Sequence, residues 1–455
     1  MSGQSSYRFK QNTSIPAGAG ASPPAAGAPP RILVIGAGVI GVTTALALQA
    51  HPALQLGVVP SEASAPGSSL PAVAFHPRLA GPVSPQQPAP QRSVSAPHVE
   101  IWAADFPPHT TSNVAGAYWF PFNIHPAHRV EHWAERTKQE MERWVATLGS
   151  ETIGVRPSVM AHVEPHGQVS LAAHKSAADE RPDVQIPAGH DMVDGGKTLL
   201  IDPDICLGYL FARFLEQGGV TKRKFVNDLS EALCPSLGFD AVINCTGLGS
   251  RELVGDARVY PARGQIIVVK GVQACPTVYS VRTGPLSLGY IIPRMHDTVL
   301  GGTYEEHDEC MRVRSETTDA ILARTRGLSC GRLTAEGSKK VEILRERVGL
   351  RPCRDEVRLE PEWFQLDLST GKVFTHGTAA SGATPDSARY ASRQPNPGHG
   401  VPSQQVSRLV VHNYGHGGGG WTVAIGCAEE AAHHAVVQLA QYRDALAAVS
   451  ARAHL

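Results

Sequence analysis

The chain has 455 residues, 42% of them hydrophobic, and its 41 Lys plus Arg are balanced by 41 Asp plus Glu. A formal net charge of zero gives no global field to gather nucleic acid or an anionic membrane, and no run reaches the roughly 18 to 20 apolar residues of a membrane span. The length predicts two intimately linked domains. The 8 cysteines are scattered without a C-x-x-C pair, which reads as the reduced side chains of an intracellular protein and not as a disulfide frame or zinc site.

In chain order, the first thirty residues lack acidic side chains, end in AGAGASPPAAGAPP (17–30), and read as a disordered leader. Ile32 to Ile35 is an apolar, β-branched run expected as a buried parallel strand. The G-x-G-x-x-G turn of Gly36, Gly38 and Gly41 follows, and Val42 to Ala50 read as a small-residue helix. Gly36 would permit the tight turn, Gly38 the approach of a pyrophosphate, and Gly41 close helix–strand contact. The N–H groups opening the helix, those of Val39 and Ile40 included, would face the phosphates with the positive end of its dipole. Strand, glycines and helix in this order predict a dinucleotide site.

Pro60 to Pro97, rich in Pro, Ser, Ala and Gln, reads as a surface insertion. Val99 to Asp105 is an alternating strand that places Asp105 where a carboxylate would take the adenosine ribose hydroxyls; Glu62, closer to the usual spacing of roughly 20 residues, is the rival. Thr111 and Ser112, followed by the small Gly116 and Ala117, would cap a helix and let a phosphate or flavin come close. Residues 128–147 read as an amphipathic surface helix. His162 to Gly196 is polar and is expected to be an irregular excursion. Residues 201–219 read as a helix ended by Gly, and Ala241 to Ser250 as a buried strand running into a turn at Gly247 that would pass beneath a cofactor.

Gln265 to Lys270, Tyr279 to Arg282, Tyr290 to Pro293 and Thr298 to Gly301 read as short strands of an antiparallel sheet. His376 to Gln405 is a further low-complexity insertion. Leu409 onward is a strand leading to the glycine loop Gly417–Gly420, then Trp421 and Thr422, and Val423 to Ala447 closes the chain as a long helix. The terminal Ala453-His454-Leu455 matches the small–basic–leucine pattern of a peroxisomal address.

Taken together, GAGVIG (36–41), DFPPHTTSNVAGAYWFPF (105–122), VINCTGLG (242–249), YPARGQIIVV (260–269), YIIP (290–293), LGGTY (300–304), VGLRPCRDEVRLE (348–360) and VHNYGHGGGGWT (411–422) resemble the D-amino acid oxidase family, which includes D-aspartate oxidase and glycine oxidase. The resemblance implies an α/β fold: a doubly wound FAD domain interleaved in sequence with a mixed-sheet α+β substrate domain. It divides the chain into a leader (1–30), an FAD part (31–125, with the 60–98 insertion), a mainly substrate part (126–200), a second FAD part (201–258), a substrate part (259–375), an insertion (376–408), a last FAD part (409–447) and a tail (448–455). It also implies FAD as cofactor and oxidation of a D-amino acid by hydride transfer from Cα to flavin N5. The imino acid hydrolyses to a 2-oxo acid and ammonia, and dioxygen returns the flavin to its oxidised form, giving hydrogen peroxide.

Arg351 is the residue the resemblance sets against the substrate carboxylate, which needs a planar, permanently charged fork; the alternative is a structural ion pair with Glu356 or Glu360. Arg354 and Arg358 read as structural. Tyr290 matches a phenol that bonds the same carboxylate, Tyr304 a second active-site Tyr, and Gly418 the carbonyl accepting from the substrate amine. Gly417, Gly420, Trp421 and Thr422 would approach the isoalloxazine, and Val226 and Arg351 complete the cofactor contacts. His412 and His416 are expected to be core or loop histidines and not metal ligands. No general base is expected. Leu286 stands where vertebrate-type enzymes carry another Tyr, which argues against a long mobile lid. Neutral or basic D-amino acids are the expected substrates. The rivals are a D-aspartate oxidase, kept open by Arg294, a glycine-oxidase-like enzyme, a non-catalytic flavin module and a nicotinamide dehydrogenase. The residues leave a homodimer open, and the terminal tripeptide would make a peroxisomal import receptor a partner.

Overall fold

A computed structural model describes residues 29–55, 97–166, 184–270, 277–282, 287–330, 333, 341–368, 372–375 and 405–453. The leader through residue 28, the insertion over 60–96 with Glu62, Leu286, the segment 376–404 and the last two residues lie outside them. The strands are β1 (Arg31–Ile35), β2 (His98–Ala103), β3 (Val155–Pro165), β4 (His190–Ile201), β5 (Val220–Arg223), β6 (Ala241–Asn244), β7 (Tyr260–Val269), β8 (Thr277–Arg282), β9 (Ser287–Pro293), β10 (Thr298–Thr303), β11 (Glu305–Glu306), β12 (Ile343–Asp367), β13 (Val373–Thr375) and β14 (Gln405–His416). The longer helices are α1 (Val39–Ala50), α2 (Ala127–Leu148), α3 (Pro203–Glu216), α4 (Ser315–Leu328) and α5 (Gly420–Ala453).

One path of pairing joins them in the order β4-β3-β8-β9-β10-β7-β12-β14-β6-β1-β2-β5. From β14 to β5 the neighbours are parallel. Ile32 and Val34 face a cluster shared with α1, α3 and α5, whereas Leu33 and Ile35 face Trp102, Leu233 and Phe239 on the other side. A strand covered on both faces has no polar alternation, which is why this run was readable as buried. The other half is antiparallel apart from the parallel β3–β8 pair. The 25-residue β12 bridges the two halves. It pairs with β7 as far as Cys353, and with β14 at Cys353–His416 and then, after a register shift, from Arg358 to Asp367.

Several expectations need correction. The supposed excursion from His162 to Gly196 holds the end of β3 and much of β4 at its two ends, paired in register from Val155–Ile201 to Pro165–His190, while its middle, 167–183, lies outside the described residues. Its polar positions misled because one face of this strand pair turns to a cavity and not to a core. α4 had no sequence-level counterpart. β14 begins at Gln405, inside the span assigned to an insertion, and α5 runs from Gly420 to Ala453, past the expected stop at Ala447. β2 ends at Ala103, leaving Asp105 just beyond it.

Two contacts fix the outer layers. α5 crosses α2 so closely that a β-carbon on Gly426 would lie 2.7 Å from the Trp133 carbonyl oxygen. Beside this crossing Arg136 holds Glu429 through two N–H···O bonds of 2.9 and 2.7 Å. On the far side, the fully buried Arg263 donates to the carbonyls of Cys310 and Arg312, to Glu305 and to Gln265, all at 2.6–2.7 Å. Its charge is paired and its fork satisfied, which is the condition for burying a guanidinium; the segment 305–314 hangs from it.

Candidate active site

A cavity of ≈ 1260 Å³ is lined by the N-terminal residues of α1, α5 and the short helix Thr111–Val114. Single-ligand pockets are commonly roughly 300–1,000 Å³, so this one has room for a dinucleotide and a small substrate together.

At one end Gly36 takes φ +112°, and a β-carbon there would overlap the Cys245 carbonyl. Gly41 lies against the Gly36 carbonyl oxygen and is not part of the cavity lining; it serves the helix–strand contact. Gly36, Gly38, Val39 and Ile40 line the wall. The Val39 N–H donates to Ser112 Oγ at 2.9 Å, which leaves the Ser112 hydroxyl hydrogen to turn toward an anion. Thr111 and Ser112 line the cavity beside it, Gly247 sits below with φ +58°, and Asp105 and Val226 mark the far end. Asp105 is exposed and 3.7 Å from the Arg223 guanidinium.

At the other end Arg351 lies on β12 with its guanidinium packed over Gly264, where any side chain would collide with it. Its Nη1 donates to the Thr303 carbonyl at 3.0 Å, and among the described residues no carboxylate reaches it. The structural alternative fails because neither Glu356 nor Glu360 forms an ion pair with Arg351. Glu360 bonds Arg358 at 2.7 Å, and Arg354 gives its N–H groups to the Glu356 backbone carbonyl at 2.7 Å and to Asp256 at 2.9 Å. Tyr290 lines the cavity close to Arg351, its ring resting on Gly301 and Gly302, which the LGGT stretch leaves bare for it. Burial pushes its phenol up, against a smaller opposing pull from Arg351, so it stays a hydrogen-bond donor.

Tyr304 is displaced from its expected place. It is not part of the lining: its ring lies behind Arg351, 5.3 Å from the guanidinium carbon, and its hydroxyl meets Cys353 Sγ at 3.3 Å. It backs the guanidinium. Gly116, Ala117, Gly417, Gly418, Gly420, Trp421 and Thr422 all line the cavity. The Thr422 hydroxyl is already engaged with the Phe120 backbone, and Trp421 Nε1 with the Ser112 carbonyl, so these two side chains build the wall and leave close approach to the glycines.

Reasoning from sequence missed Phe120, Phe122, His162 and Leu288, which line the substrate end, and Asn413 and His416 on β14. His416 is buried and its imidazole is driven down to about 3 by that burial, so it is neutral. His412 instead bonds Glu362 at 2.9 Å. The signal for Asn413 was a polar residue inside the strand before the glycine loop.

The model of a family described as FAD dependent oxidoreductase matches residues 31–434. The D-amino-acid oxidase of Dictyostelium discoideum is 36% identical over 343 residues, which cover 73% of this chain and 82% of that protein. The chain belongs to the D-amino acid oxidase family of FAD-dependent oxidoreductases. The D-amino-acid oxidase of Streptomyces coelicolor is 32% identical over 340 residues (73% of this chain, 88% of that one), and the human D-aspartate oxidase 30% over 356 (73% and 86%). Among solved structures, the Bacillus cereus glycine oxidase superposes with a TM-score of 0.55 at 13% identity, covering 89% of this chain and 96% of that one. The oxidase family's α/β fold is thereby shared.

The cavity of this family member fits FAD. The tight Gly36 turn and the Gly38–Gly41 helix start would suit the pyrophosphate, Asp105, as against Glu62 outside the described residues, would suit the ribose, and the Gly417–Gly420 backbone the isoalloxazine. FAD supplies the hydride acceptor; the protein supplies position and charge.

Proposed function

We propose that this oxidase converts D-amino acids with neutral or basic side chains to 2-oxo acids, ammonia and hydrogen peroxide, using dioxygen. Arg351 carries the reading: a guanidinium in the cavity wall with no carboxylate partner among the described residues calls for one from a ligand. Tyr290 donates a further hydrogen bond to that carboxylate, and the Gly418 carbonyl accepts from the amino group, so that three fixed groups orient Cα. Phe122 and Leu288 exclude water beside them. The amine reacts in its neutral form, and no side chain has to take the Cα hydrogen as a proton.

A second carboxylate would need a second fixed cation. Arg294, the candidate, is buried against Asp297 with bonds of 2.7 and 2.8 Å and stays out of the cavity. Lys224 belongs to the adenosine end and pairs with Glu231 at 2.9 Å. Glu164 and Asp194, by contrast, line the wall and disfavour an acidic side chain. The experiment is anaerobic addition of D-alanine, D-lysine, D-aspartate and L-alanine to the yellow protein. Bleaching by the first two is expected. Bleaching by D-aspartate above all would overturn the side-chain preference, and bleaching by none of the D-amino acids would overturn the oxidase reading.

Ala453-His454-Leu455 supports import into peroxisomes by the receptor for such tripeptides, a fitting place for a peroxide producer. Removing Leu455 is expected to leave a fluorescent fusion in the cytosol; unchanged punctate fluorescence would refute the address.

A further inference from the structure

Asn413 is fully buried between β14 and α1, yet it lines the cavity. Its orientation follows from its neighbour. The Thr44 hydroxyl donates to the Ile40 carbonyl at 2.7 Å, so toward Asn413 it can serve only as an acceptor, and Asn413 Nδ2 lies 3.2 Å from it. Nδ2 therefore faces Thr44. Oδ1 faces the other way, buried and without a hydrogen-bond partner among the described residues. A buried carboxamide oxygen in that state is costly and calls for a donor.

The family's cofactor has few donors. Its pyrophosphate has none at neutral pH, and its ribose hydroxyls belong with Asp105 at the far end. Its isoalloxazine belongs with the Gly417–Thr422 loop. Asn413 sits at neither end. It lies beside α1, one turn beyond the Gly36–Gly41 bend, next to Cys245 through the shared Thr44, and four residues before Gly417. The stretch of cofactor between pyrophosphate and flavin ring is the ribityl chain, whose hydroxyls are donors. We propose that Asn413 Oδ1 accepts a hydrogen bond from a ribityl hydroxyl of FAD. This assigns Asn413 a binding role that rests on the cofactor and is independent of which amino acid is oxidised.

The test is a double-mutant cycle between protein and cofactor. Apoprotein of the parent and of Asn413→Leu is titrated by fluorescence with FAD and with FAD analogues lacking the 2′-, 3′- or 4′-hydroxyl of the ribityl chain. The parent is expected to bind one analogue ~10-fold more weakly than FAD. Asn413→Leu is expected to bind FAD itself ~10-fold more weakly than the parent does and to have lost that discrimination. Equal discrimination in both proteins would assign Oδ1 to an internal water and overturn the proposal. A parent that does not distinguish any analogue would overturn it too. Should Asn413→Leu fail to fold, as judged by its melting curve against the parent apoprotein, Asn413→Ala runs the same cycle.

Discussion

Arg351 gives one N–H to the Thr303 carbonyl and keeps the remainder of its fork for the cavity, with the Tyr304 ring behind it and Gly264 beneath it. Replacing it by Leu removes two charge-assisted bonds to the substrate carboxylate. Such bonds are worth about 1.5–3 kcal/mol each, so kcat/KM for D-alanine is expected to fall on the order of 100- to 10,000-fold while the protein still binds FAD. Steady-state oxygen consumption with the flavin content measured alongside checks this; an unchanged kcat/KM refutes it. Tyr290→Phe removes a single neutral donor whose proton burial secures. A rise in KM for D-alanine of roughly 10-fold is expected, at most, with no new ionisation in the pH–rate profile between pH 7 and 10. A profile that changes over that range would mean the phenol titrates in the parent.

The elements most readable in the sequence were those whose pattern had one cause. β1 is apolar because both faces are covered, and α1 follows its glycines because nothing larger fits between Gly36 and Gly41. The β3–β4 hairpin was hidden because its cavity face carries His162, Glu164 and Asp194, polar residues that imitate a loop. Tyr304 was misplaced because sequence gives its position just after a strand and not which side of Arg351 its ring takes. Asn413 shows in the sequence only as a polar residue in an apolar strand, since its meaning lies in what Thr44 does. The α2–α5 crossing is another case where context outweighs propensity. Ala is a better helix former than Gly by about 1 kcal/mol, yet at Gly426 it would press on the Trp133 backbone. Gly426→Ala is therefore expected to cost about 1–3 kcal/mol net, seen as a lower thermal midpoint; a raised midpoint would show that the helices can part freely.

Across the molecule, buried neutral imidazoles tie stability to pH. His416 is held down to about 3 and His51 to about 4, both chiefly by burial. The unfolded chain takes up these protons below the ordinary histidine value near 6.5, while the folded chain does not until far lower. Stability is thus full above that value and falls with pH through the window down to the folded values. For His416 the loss between pH 7 and pH 5 is about 2 kcal/mol. His416→Gln is expected to show a smaller drop in thermal midpoint over that interval than the parent, and an equal drop would refute the assignment. The Arg263 anchorage reaches furthest from the chemistry. A lysine there has one compact head for four acceptors spread over Glu305, Gln265 and the carbonyls of Cys310 and Arg312. Arg263→Lys is expected to free the stretch from 305 to 314 before anything else loosens, so that brief trypsin treatment nicks the chain after Arg312 or Arg314 and leaves two fragments that stay associated.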